Sequence, residues 1–346
     1  MADTIRVLIV DDSAFMRKII SDLLAGDRDI AVIATARDGL DAVEKCKQLR
    51  PDVITLDVEM PRLDGLQCLE RLMVECPTPV LMVSSLTQEG AATTVRALEL
   101  GAVDFIPKPS GSISLDMAKV RDDLINKVKV AARANVRPAR RRPDALPVAA
   151  ARPATPGRGG RRIVCIGCST GGPGALHEVL PRLPADLGAP VLVVQHMPPG
   201  FTRSLAQRLD ELSPLRIREA AAGDRFGPGD VLIAPGGSHM TLASPDTIAL
   251  NQDPPLHGVR PAVDITLSSV VQHFGGDAVG VILTGMGFDG ARAMAELHRA
   301  GGRTIAEHQS TCVVYGMPRA VVEMGVADVV APIHAIAERI VEALQR

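Results

Sequence analysis

The segment Ile5–Asp12, IRVLIVDD, is a run of β-branched and aliphatic residues that stops on two adjacent carboxylates. A short apolar run with an acidic end reads as a strand buried on both faces, its last residues emerging at a sheet edge. The next stretch, FMRKIISDLLAG (15–26), switches to helical spacing. The same alternation continues through IAVIATA, LDAVEKCKQLR, PDVITLDVEMP, LQCLERLMVEC, PVLMVSS, AATTVRALELG, VDFIPKP and a last helix through DDLINKVKVAA. Five strands alternating with five helices predict a doubly wound parallel sheet, with functional groups collected where the strands end.

Those ends carry a particular set of groups. Asp11 and Asp12 follow the first strand, Asp57 ends the third, Ser84 the fourth and Lys108-Pro109 the fifth. Any one of them could be a cap or a solvated polar residue. Carboxylates gathered at one edge raise each other's pKa, and Mg²⁺, a hard cation suited to carboxylates, a carbonyl and water, would offset that cost. Lys108 then supplies a counter-charge for an incoming anion.

With 346 residues the chain is long enough for two domains, and 46% hydrophobic against 23% charged residues is the composition of a globular protein. Between them, residues 133–162 are rich in Pro, Ala and Arg without apolar periodicity, with nine Arg against one Asp. This segment reads as a solvated linker, separating domains at 1–132 and 163–346. The second domain holds 13 Arg and no Lys against 18 Asp plus Glu, a net charge of −5, and the whole chain has no Trp and one Tyr. Both features argue against nucleic-acid binding. The beginning of the chain has no leader-like pattern and no run is long enough to span a bilayer, so a cytoplasmic location without membrane insertion is expected. The six Cys are scattered through apolar patterns and read as reduced, buried thiols.

The second domain opens on VCIGCSTGGPG (164–174), which admits three chemistries. A phosphate-binding glycine loop would need a Lys or an acidic residue at the next strand tip, and both are missing. Cys165 and Cys168 form a C-x-x-C, but no second ligand pair accompanies them. The third reading is G-x-S-x-G, with Ser169 between the strand RIVCIG and the helix GALHEVLPRL, at a helix N-terminus suited to stabilising an oxyanion. His196 ends the next strand, PVLVVQH, and Asp289 follows the strand AVGVILTG. A Ser in a glycine turn is often only a cap, a His at a strand end solvated and an Asp-Gly a turn, but together they make a nucleophile, a base and an orienting carboxylate. Their chain order differs from that of α/β-hydrolases.

The motifs DDSAFMRK, LDVEMPRLDG, VSS and DFIPKP closely resemble the receiver domain of two-component response regulators, over about residues 4–130, which implies a flavodoxin-like (βα)5 fold. The resemblance implies that Asp57 accepts a phosphoryl group from a histidine kinase while Asp11, Asp12 and the Glu59 carbonyl join it in holding Mg²⁺. Ser84 and Lys108 would bind the phosphoryl oxygens, and Phe105 would be the aromatic that shifts. In the second domain IGCSTGGPGAL, VVQHMPPGFTRSLAQRLD, GDVLIAPGGSHM, RPAVDITLSSV, GVILTGMGFDGA and TIAEHQSTCVVYGMPRAV resemble the catalytic domain of the chemotaxis protein-glutamate methylesterase family, over about 163–345. That implies a doubly wound, mostly parallel α/β domain acting as a serine hydrolase: Ser169 nucleophile, His196 base and then acid, Asp289 orienting the imidazole, with Thr170 and the Met286 N–H at the oxyanion. It further implies hydrolysis of glutamate γ-methyl esters on chemoreceptors, deamidation of particular glutamines, control by phosphorylation, and no cofactor for the hydrolytic step. A regulator with a DNA-binding or purely scaffolding second domain, and a flavodoxin-like nucleotide binder, are the rival readings.

Overall fold

The computed structural model describes residues 4–85, 87–108, 115–135 and 162–345. The chain falls into two compact units, Met1–Arg141 and Arg142–Arg346. Most of the expected linker, residues 136–161, lies outside the described residues, as does Pro109.

The first unit runs β1 (Ile5–Val10), α1 (Ala14–Leu24), β2 (Ile30–Ala36), α2 (Gly39–Leu49), β3 (Val53–Asp57), α3 (Gly65–Glu75), β4 (Val80–Ser84), α4 (Gln88–Glu99), β5 (Asp104–Pro107) and α5 (Leu115–Ala131). Its strands are ordered β2-β1-β3-β4-β5 and all pair in parallel. Continuous apolar runs make this possible: Val7 to Val10 are fully buried, as strands covered by helices on both faces require. Side chains of Ser13, Asp38, Asp64 and Thr87 accept backbone N–H groups at the starts of α1 to α4. The strand order reverses between β1 and β3, which brings Asp11, Asp12 and Asp57 to one crevice.

The second unit runs β6 (Ile163–Cys168), α6 (Gly172–Val179), β7 (Val191–Gln195), α7 (Phe201–Asp210), β8 (Arg216–Glu219), β9 (Asp230–Ile233), β10 (His239–Ser244), β11 (Thr247–Asn251), α8 (Val263–Phe274), β12 (Ala278–Ile282), α9 (Ala291–Arg299), β13 (Arg303–Glu307), α10 (Met317–Glu323), β14 (Val329–Ala331) and α11 (Ile333–Gln345). Seven parallel strands form one sheet in the order β14-β13-β12-β6-β7-β9-β8. Among the named strands, antiparallel pairing occurs in the hairpin β10–β11, which docks on α8 through Thr266 Oγ1 to the Met240 carbonyl (2.7 Å) and the Leu242 N–H to Ser269 Oγ (2.9 Å). The helix expected through GALHEVLPRL begins earlier and gives way at Leu180–Arg182 to a 3₁₀ turn, because Pro181 cannot donate into the helical ladder.

The core here joins Val263, Leu267 and Val270 of α8 to Met294 and Leu297 of α9 and Ile163 and Ile282 of the sheet, all buried. Each such side chain contributes roughly 1.5–3 kcal/mol by leaving water, so Leu267→Ala should destabilise the unit by about 2–5 kcal/mol. Strand order reverses between β6 and β12. The ends of those two strands, carrying Ser169 and the Thr284–Asp289 loop, therefore flank a single crevice.

Candidate functional site

In the first unit Asp11 and Asp57 are fully buried and their Oδ2 atoms lack hydrogen-bond partners. Ligand atoms of Asp11, Asp12 and Asp57 all lie within 4.8 Å of one another. Lys108 Nζ reaches Asp57 Oδ1 at 2.8 Å and Asp11 Oδ2 at 3.8 Å. Even so, burial, aided by the Asp11 charge, pushes the Asp57 carboxyl up to about 6, and burial raises Asp11 as well. Burial alone would lower the Lys108 ammonium, but Asp57, Asp11 and Asp12 hold it above its ordinary value. One ammonium thus fails to balance two buried carboxylates. The orphaned oxygens and the hard-donor set fit a small divalent cation.

The other residues expected here are at the same edge with different engagements. The Glu59 N–H donates to Asp57 Oδ1 at 3.3 Å. Ser84 Oγ is turned to the first turn of α4, donating to the Gly90 carbonyl at 3.2 Å, while the Ser84 carbonyl accepts the Lys108 N–H at 2.7 Å. Phe105 is buried on β5 with Lys127 Nζ 5.3 Å from its ring centre.

In the second unit the ladder between β6 and β7 ends on the pair Cys168 and Gln195, so Ser169 and His196 are the next residue of each strand. The His196 N–H continues the pattern onto the Cys168 carbonyl at 3.2 Å. After Ser169 the chain turns sharply into α6 through Gly171 at φ +77°, where an added Cβ would lie 2.6 Å from Val313 Cβ. His196 Nε2 is 2.8 Å from Asp289 Oδ2, which leaves Nδ1 as the second ring nitrogen. Asp289 is buried at the N-terminus of α8, where Oδ2 accepts the Val263 N–H at 2.6 Å and Oδ1 the Asp264 N–H at 3.0 Å. Burial pushes its carboxyl up, but the bond and charge of His196 and the two N–H groups outweigh that and hold it below its ordinary value. An ionised Asp289 requires the proton on Nε2, so Nδ1 carries the lone pair of a base. The Ser169 side chain makes no hydrogen bond among the described residues, nor does the Met286 N–H. Thr170 is buried and its carbonyl accepts from Thr284 Oγ1 at 3.0 Å.

Sequence reasoning missed several buried polar residues. Thr284 takes the Ser169 N–H on its carbonyl at 3.0 Å, binds the Val314 N–H with its hydroxyl oxygen at 2.9 Å, and donates its own N–H to the buried Glu307 at 2.8 Å. Asp264 caps α9 through the Ala293 N–H at 2.8 Å and receives His257 Nε2 at 3.2 Å. Gln195 touches both candidate catalytic residues. Such residues carry no spacing signal. Their roles exist only once distant strands are paired. Cys165 and Cys168 are both buried and free, and burial pushes the Cys165 thiol up to about 12 and raises Cys168 too, which fits neither a redox pair nor a thiolate metal site.

A phosphoacceptor-type carboxylate cluster on one sheet and a serine, histidine and aspartate at the edge of another define a response regulator joined to a hydrolase. Comparison with known families agrees: a CheB methylesterase model matches residues 164–340, and a response regulator receiver domain model matches residues 7–118. The chain is 60% identical to a protein-glutamate methylesterase/protein-glutamine glutaminase of Symbiobacterium thermophilum, over 98% of this chain and 97% of that one. It is 47% identical to a protein of the same description from Pyrococcus horikoshii, over 100% of this chain and 95% of the other. The solved CheB methylesterase catalytic domain of Thermotoga maritima is 45% identical, with a TM-score of 0.52, and covers 53% of this chain and 99% of its own. The chain belongs to the CheB methylesterase family, and is a hydrolase carrying a receiver domain.

Proposed function

We propose that this protein hydrolyses glutamate γ-methyl esters on chemoreceptors, and deamidates particular receptor glutamines, under control of phosphorylation at Asp57. The observation that carries the reading is the chain of contacts from the helix α8 N-terminus through Asp289 to His196, one strand away from Ser169. Ser169 Oγ attacks the ester carbonyl as His196 Nδ1 takes its proton, and the imidazolium is stabilised by ionised Asp289. The oxyanion is received by backbone N–H groups at Thr170 and Met286. Methanol leaves with the proton from His196. Water, activated by the same ring, then releases the glutamate carboxylate. An amide presents the same carbonyl, so glutamine follows the same course with ammonia as leaving group.

In the receiver, Asp11, Asp12, Asp57 and the Glu59 carbonyl would hold Mg²⁺, which when bound neutralises phosphoryl oxygens. Asp57 accepts the phosphoryl group from a histidine kinase, Lys108 pairs with it, and Ser84 must release the Gly90 carbonyl to reach it. Phe105 is the aromatic that shifts with it. The receiver spans 1–132, a linker 133–162 and the catalytic domain 163–346. A cytoplasmic site of action follows from this substrate, and no helix among the described residues is long and apolar enough to cross a membrane. The test is methanol release from methyl-labelled receptor, with and without a small-molecule phosphodonor. Ser169→Ala should fall to background, and turnover persisting in that variant would overturn the serine mechanism.

A further inference from the structure

Gln195 is the last residue of β7, 2% exposed, and its side-chain amide lies between the two strands that carry Ser169 and His196. Its Nε2 is 3.0 Å from the Ser169 carbonyl and 3.2 Å from the His196 carbonyl. An amide nitrogen has two hydrogens, and here each has its own acceptor. On the other side, Oε1 accepts the Cys168 thiol at 3.1 Å. The orientation is therefore fixed chemically: a reversed amide would set its oxygen against two carbonyl oxygens. Space for Oε1 exists because residue 172 is glycine, where a Cβ would fall 2.0 Å from that oxygen.

The ladder hydrogen bonds, the last of them from the His196 N–H to the Cys168 carbonyl at 3.2 Å, hold the two strands in register up to the residue before Ser169, after which the chains diverge, one into α6 and the other into the loop before α7. Ser169 is held through its N–H by the Thr284 carbonyl and through its C=O by the Gly172 N–H at 2.8 Å. Neither contact involves His196. Gln195 is the one side chain among the described residues with hydrogen bonds to both. We propose that Gln195 is a positioning residue for hydrolysis: its amide clamps the nucleophile and base backbones together, and the Cys168 thiol sets the amide's orientation. This rests on the reading of Ser169 and His196 as nucleophile and base. A small error in the distance between attacking oxygen and base is costly, with misplacement by about 1 Å lowering rate about 10²-fold.

The experiment uses the full-length protein and compares Gln195→Met, which preserves length and apolar fill, with the native chain. Methanol release from methyl-labelled receptor gives kcat and KM, thermal melting reports the fold, and labelling of Ser169 by a fluorophosphonate reports nucleophile reactivity without receptor. The clamp requires kcat to fall about 10- to 100-fold with KM and melting retained, and labelling to slow in step. A near-native kcat, or a loss that only follows the unfolded fraction, overturns it. Should Gln195→Met fail to fold, Cys168→Val and Cys168→Ser decide: a hydroxyl keeps the donor to Oε1, so Cys168→Ser should recover most of what Cys168→Val loses in kcat. Equal rates in those two variants would overturn the clamp. An active Ser169→Ala in the same assay would instead show that the serine reading has failed.

Discussion

Asp289 engages three donors with two oxygens, and this fixes what its loss must do. Asparagine would turn an N–H toward at least one backbone N–H and remove the charge that holds the imidazole. Asp289→Asn should lower methanol release roughly 10⁴-fold through loss of the correct tautomer. Its pH behaviour has a definite sign. Because the folded carboxyl is held below its ordinary value, the ionised form favours the fold, and its contribution is complete above about pH 4. It is lost as pH falls through the lower folded value. The stability gap between native protein and Asp289→Asn, measured by urea titration, should therefore hold steady above about pH 4 and narrow as pH falls below it. A gap that widened with acid would mean that the carboxylate is not the stabilising form. The ring is also distinguishable at its other nitrogen: an alkylating substrate analogue should mark His196 at Nδ1, since Nε2 is committed to Asp289. Cys165 is buried and free, with its thiol pushed up by burial. Cys165→Ala should retain most turnover, and a chelator should leave hydrolysis by the second unit unaffected.

At the scale of elements, the turn that delivers Asp289 to α8 depends on Gly290, at φ +92°. Alanine there would adopt a left-handed conformation with its Cβ 2.8 Å from Val263 Cγ1, on the helix end that binds Asp289. Gly290→Ala should cost about 1–3 kcal/mol in denaturation of the second unit and lower kcat with it. The strands and helices of the first sheet, and β6, β7 and β12 of the second, were legible because buried parallel strands are written as apolar runs and their helices as periodic ones, whereas an edge strand such as β8, Arg216–Glu219, carries no such run. Ser169 and His196 were legible as candidates because each stands where such a run stops, and Asp289 because it lies in the loop that follows one. The separate hairpin of β10 and β11 was not, since HMTLAS and TIALN look like any other short strands until Thr266 and Ser269 of α8 meet them. Gln195, Thr284 and Glu307 stayed hidden for a related reason: a polar residue inside an apolar run means little until its partner strand is known. For Ser84 the position was readable, but its engagement with Gly90 was not.

At the scale of the whole molecule, the proposed phosphoacceptor site and the proposed hydrolytic site lie on separate units of one chain. The hydrolase has no phosphate loop of its own, which motivates the expectation that the receiver restrains it until Asp57 is modified. Residues 160–346 expressed alone should outpace the unphosphorylated full-length protein, and Asp57→Asn should stay slow and ignore phosphodonor. A tenfold rise requires only about 1.4 kcal/mol of differential stabilisation, within reach of one new charge. If the isolated unit were no faster, the receiver would have to act by assisting or recruiting substrate. The strand order of the second unit bears on time as well as place. β6, which leads into Ser169, lies between β7 and β12, so one neighbour leaves the ribosome soon after it and the other only after more than a hundred further residues. Until β12 is inserted and its loop brings Asp289 to His196, the nascent chain lacks the carboxylate that the proposed mechanism requires behind the base. Esterase activity during synthesis or refolding should therefore appear late and all at once, a birth certificate for the finished sheet.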